Sequence, residues 1–128
     1  MYPLILLIAS VLGLTGVGLG AFAAHGLRSE LTASALAVFQ TGVQYQLLHA
    51  LVLVAIGLAA TSQRNAWLSA AASFIVLGVV LFSGSLYLLV LTPLKLGLVT
   101  PLGGLLLMLG WLCLGVSSVR LMGKKTVG

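Results

Sequence analysis

Polar residues punctuate this chain at wide intervals and leave four apolar runs between them, at 3–24, 41–60, 67–91 and 101–122. A helix needs about 20 predominantly apolar residues to cross the hydrocarbon of a bilayer, and each run meets that length. The pattern predicts four membrane-spanning helices with both termini on one side. Pro3 suits a first helical turn, and Thr100-Pro101 reads as an N-cap followed by proline at the first helical position. Thr92-Pro93 and Gly97 mark the third connection as a tight non-helical loop.

The first connection, 25–40, is longer than a turn. In it Leu31, Ala35, Val38 and Phe39 recur at helical spacing among Glu30, Thr32, Ser34 and Gln40, with Ser29 as the candidate cap. This predicts a short amphipathic helix at the outer membrane surface, either a connector lying in the interface or a lid, and either separate from the second span or continuous with it through Gly42. The fold class is therefore all-α: an integral-membrane four-helix bundle forming one domain over 1–128, with a short amphipathic helix between spans 1 and 2.

One of the runs breaks its own pattern. The second carries Gln44, Tyr45, Gln46 and His49, and in hydrocarbon a polar side chain without a partner costs free energy, so these residues must face protein or a cavity. Thr41, Tyr45 and His49 fall four apart on one stripe, with Gln46 three before His49. His25 ends the first span on the same side, the third arrives there through Ser83, Gly84, Ser85 and Tyr87, and the fourth leaves through Thr100, Gly103 and Gly104.

These placements predict a small outward-facing polar pocket in the outer half of the membrane. Its candidate ligand-binding residues are His25, Gln44, Tyr45, Gln46, His49, Ser83, Ser85 and Tyr87. Each also has a structural reading. His49 fits a satisfied interior histidine, His25 beside Gly26 a helix ending, the two glutamines interhelical links worth about a kcal/mol each, and the tyrosines an aromatic belt. Ala9, Gly13, Gly16, Gly20 and Ala24 form a small-residue stripe on the first span, and Gly84, Gly103 and Gly104 suggest the same close approach elsewhere.

Composition agrees with the pattern. With 61% hydrophobic residues, 5% charged and a mean hydropathy of +1.27, the chain cannot hide its apolar surface from water by folding alone. The net charge of +5 is not a nucleic-acid signal, because the six basic residues lie between or at the ends of the apolar runs. Arg64, Arg120, Lys124 and Lys125 fall on one side against Arg28 and Lys95 on the other, so the positive-inside rule predicts cytoplasmic termini. Trp67 fits an interfacial anchor on that side, whereas Trp111, nearer mid-span, is expected to pack.

Other chemistry is thinly supplied. A single acid, Glu30, excludes paired-carboxylate catalysis, and a Ser83 or Ser85 pair with His49 lacks an acidic orienter. Two histidines, one glutamate and one cysteine are all the strong metal ligands, and nothing in their spacing demands a site, so no metal or other cofactor is expected. Cys113 reads as packing. The small-x-small Ala21-Phe22-Ala23 imitates a signal cleavage site, but no basic residue precedes the run, which is read as a retained span. No phosphate-cradling loop or nucleic-acid motif is present.

Four stretches in order carry a resemblance: Gly20-Ala21-Phe22-Ala23-Ala24-His25-Gly26-Leu27; Phe39-Gln40-Thr41-Gly42-Val43-Gln44-Tyr45-Gln46 with His49-Ala50-Leu51; Leu81-Phe82-Ser83-Gly84-Ser85-Leu86-Tyr87; and Thr100-Pro101-Leu102-Gly103-Gly104 with Gly110-Trp111. Together they resemble the YgdD-like family of small bacterial inner-membrane proteins, which has relatives in animals and is filed as a domain of unknown function. The resemblance implies a four-span inner-membrane protein with no established activity. The residues themselves favour a non-enzymatic binding or structural protein that holds a lipid or small amphiphile, with membrane lipids and further copies of the chain as partners. The alternative is one protomer of an oligomeric small-solute transporter or channel, its pathway formed by Gln44, Tyr45 and His49.

Overall fold

Thr32 and Asn65 start two of the four helices in the same way. Each has an extended backbone, and its side-chain oxygen accepts from the backbone N–H three residues on, Ala35 at 3.1 Å and Leu68 at 2.8 Å. That bond satisfies one of the donors a helix start leaves over. The computed structural model describes residues 2–125, with the side chains of Lys124 and Lys125 outside that description. Its helices are α1 (Tyr2–Phe22), α2 (Ala33–Ser62), α3 (Ala66–Leu91) and α4 (Val99–Lys125), and a π-helical turn, Ala23–Leu27, prolongs α1. All four are long and apolar enough to span a membrane.

The predicted runs are extended rather than displaced. The first connection forms no separate helix: its amphipathic stretch is the first two turns of the 30-residue α2, so the continuity through Gly42 holds and Thr32, not Ser29, is the cap. Phe39 is wholly buried there, in a small core with Ala23, Leu27 and Val43. Helix α4 begins at Val99, which puts Thr100 inside the first turn, where its hydroxyl meets Ser85 instead of capping. Gly26 has no left-handed backbone. It makes room for the Phe22 ring, 2.8 Å from where its Cβ would stand.

Consecutive helices pack antiparallel, α1 on α2, α2 on α3 and α3 on α4. The row folds back on itself: α1 faces α3 across one apolar groove, and α2 faces α4 across another. The larger core, with Leu53, Ile56, Ala71, Ile75, Leu107 and the buried Cys113, fills the half nearer the termini. Outward positions are apolar too, Leu14 being 77% exposed, as lipid contact requires. Since lipid tails are as apolar as leucine, close backbone approach and hydrogen bonds must join the helices.

Candidate functional site

Gln46 lies on the face of α2 that meets both neighbours, and it is 4% exposed. Its amide nitrogen donates to the Leu12 carbonyl oxygen at 2.9 Å and the Thr15 hydroxyl at 2.8 Å, both on α1. Its oxygen accepts from the Tyr87 hydroxyl on α3 at 2.8 Å. Both amide hydrogens and the carbonyl are thus used, and one side chain ties three helices. Tyr87 can lie that close because position 42 is glycine: a Cβ there would be 2.7 Å from the Tyr87 ring. The Ser83 hydroxyl closes the same seam by donating to the Gly42 carbonyl at 2.7 Å, and Ser85 meets Thr100 at 2.6 Å across α3 and α4.

His49 is 3% exposed, and its partners define its tautomer. Nδ1 is 2.7 Å from the Tyr45 carbonyl, which can only accept, and Nε2 is 3.2 Å from the Trp111 indole nitrogen, which can only donate. The imidazole is therefore neutral with its proton on Nδ1. Tyr45 stacks beside it at 5.9 Å and tilts against Phe82 at 4.6 Å. These rings, with Leu48, Gly104, Leu105 and Met108, border the open groove of about 630 Å³ between α2 and α4.

The structure brings together Gln46 with Tyr87, Tyr45 with His49, and Ser83 and Ser85 with partners on adjoining helices. It leaves two candidates outside. His25 is exposed on the π-helical turn, and Gln44 is exposed on α2 in a shallow depression of about 430 Å³ with Gln40 and Thr41. The cluster also runs deeper than an outer-half pocket. Because α2 starts at Ala33, Gln46 and His49 stand near its mid-length. No single polar pocket encloses the candidates: among the described residues every buried side-chain nitrogen and oxygen has a hydrogen-bond partner.

Among the packing glycines, Gly16, Gly20 and Gly103 face close neighbours and Gly104 makes ordinary contact with the Phe82 ring. Gly13 and Gly84 do not: a Cβ on either meets nothing within 4 Å. The stripe on α1 is turned, because the face that packs carries Ile5, Ala9 and Gly16. Thr15 and Trp111 were missing from the sequence candidates. Trp111 had a usable signal, since an indole N–H at mid-span needs an acceptor.

A family model described as a protein of unknown function (DUF423) matches residues 19–104. The chain belongs to this family. The match takes in the DUF423 stretch from the end of α1 to Gly104, so Gln46, His49, Ser83, Ser85 and Tyr87 lie within it while Thr15 and Trp111 lie outside. UPF0382 membrane protein SH2409 of Staphylococcus haemolyticus is 42% identical over 123 residues, covering 94% of this chain and 98% of the relative. UPF0382 inner membrane protein YgdD of Escherichia coli K12 is 39% identical over 120 residues, covering 93% and 92%. No solved structure matches this DUF423 chain. It is a four-helix membrane protein of a family whose function is unknown.

Proposed function

We propose that this chain is a non-enzymatic inner-membrane protein that seats a lipid tail or small amphiphile in the groove beside Tyr45, His49 and Trp111. One contrast carries the reading. The polar residues behind the groove satisfy one another, whereas the groove is open, mainly apolar and edged by rings, which suits an apolar ligand guided by few polar atoms. The Ser83 hydroxyl donates to the Gly42 carbonyl and the Ser85 hydroxyl to the Phe82 carbonyl, so neither is bonded to His49, which speaks against a nucleophile pair. A second copy against the open side would complete the enclosure, in keeping with a homo-oligomer. The inner-membrane location follows the Escherichia coli relative, which is named an inner membrane protein, and cytoplasmic termini follow the basic residues at that end.

The test uses Trp111 as its own probe. The chain has two tryptophans, so Trp67→Phe leaves Trp111 alone. A brominated amphiphile at low mole fraction should quench its fluorescence saturably, and Gly104→Leu, which fills the groove, should remove the saturable part. Quenching that only tracks the bulk mole fraction would defeat the proposal. The transport alternative draws on the exposed Gln40 and Gln44 with the half-buried Thr41 beside them on α2. Reconstituted liposomes with saturable solute flux, abolished by Gln44→Leu, would favour it.

A further inference from the structure

At the end of the bundle that carries both termini, a cleft of about 360 Å³ opens between the α2–α3 connection and the last turns of α4. That volume falls in the range of small-ligand pockets, about 300–1,000 Å³. Arg64, Asn65, Trp67 and Arg120 line it. The geometry points to a binding site for the phosphate of an anionic phospholipid headgroup, separate from the Trp111 groove and independent of any role there.

Three observations converge on it. First, two arginines line the cleft, and among the described residues no acidic side chain stands near them: the single acid, Glu30, lies in the first connection at the opposite end of the bundle. Second, the cleft is built. Asn65 caps α3 and donates to the buried Ser117 hydroxyl at 2.9 Å, which fixes the start of α3 against α4 one turn before Arg120. The Arg120 guanidinium then lies 5.2 Å over the Trp67 ring, held in the cleft by a cation–π contact instead of swinging free. Third, the chemistry matches one occupant. Arginine forks bind phosphate bidentately, and Trp67 with Leu121 gives an apolar flank for the glycerol and upper chains. A freely diffusing phosphate would make no use of that flank. The plain alternative is that these arginines are topology signals that touch many headgroups and select none.

Charge-matched variants separate the two. Arg64→Gln with Arg120→Gln and Lys124→Gln with Lys125→Gln remove equal charge from the same end of the chain. Native mass spectrometry of protein released from nanodiscs of mixed phosphatidylglycerol and phosphatidylcholine should show the parent retaining phosphatidylglycerol. The arginine pair should lower its affinity roughly tenfold, the worth of one charge-assisted contact, and the lysine pair should stay within about twofold of the parent. Arg64→Lys with Arg120→Lys keeps the charge and loses the fork, so it should fall between. Equal losses in the two glutamine pairs, or none in either, would overturn the site. Inorganic phosphate at tens of millimolar should leave the retained lipid in place; if it displaces the lipid fully, the ligand is free phosphate and the lipid assignment fails. Circular dichroism melting checks that the arginine variants fold, as expected for two exposed side chains.

Discussion

Between α3 and α4, three glycines let backbone meet backbone, whereas between α1 and α2 the glycines receive only the ends of side chains. A Cβ on Gly103 would run into the Phe82 backbone, with its Cα 2.8 Å away; one on Gly78 would stand 2.9 Å from the Leu107 nitrogen, and one on Gly110 3.3 Å from the Ala71 carbonyl oxygen. On the other hairpin, Leu47 fills the space at Gly16, Val43 that at Gly20 and Leu6 that at Gly57. A leucine methyl can rotate away from an intruder, but a packed backbone cannot. The α3–α4 hairpin is thus held by contact that admits no adjustment. The α1–α2 hairpin is adjustable, and its fixed point is the Gln46 amide.

The largest effect should come from Gly103→Ala. The added methyl must push two backbones apart along the seam, and overpacking of that kind costs about 3 kcal/mol. Reversible unfolding in bicelles measures it, with Gly16→Ala as the partner experiment, expected near 0.5 kcal/mol because Leu47 can turn aside. Equal losses at the two glycines would break the comparison. Next in size is Gln46→Leu, which removes three interhelical bonds worth about 0.6 kcal/mol each, close to 2 kcal/mol in all. Adding Tyr87→Phe should recover part of that loss, since the Tyr87 hydroxyl is then no longer left without its acceptor. A double variant weaker than the single one would mean the bond to Gln46 is not what the Tyr87 hydroxyl contributes.

Much of this was legible in the sequence because membrane spans are written in long apolar runs, and the four runs each fall within or nearly within an observed helix. Tyr45 and His49 could be paired from spacing within one helix. Gln46 with Thr15 could not, since that contact depends on which face of α1 turns to α2. The same rotation decides why Gly16 packs and Gly13 does not, although both fit one small-residue stripe. The Asn65–Ser117 bond was equally hidden, joining residues 52 apart in the chain. The start of α2 was missed for a different reason: Thr32 competes with Ser29 as a cap, and only packing of Phe39 into the small core carries the helix back to Ala33.

The smallest effect should come from Gly13→Ala and Gly84→Ala, and it tests both hairpins at once. Each Cβ enters open space, so neither variant strains its helix pair, and alanine restricts the unfolded backbone slightly more than glycine does. The expected change is within about 0.5 kcal/mol of zero, neutral or mildly stabilising. The measurement is worth making at two protein-to-lipid ratios. A loss at Gly13 that appears only at the higher ratio would place a second copy of the chain against the outer face of α1. The adjustable hairpin would then be the one that carries the contact between subunits, and the rigid one would only hold the shape.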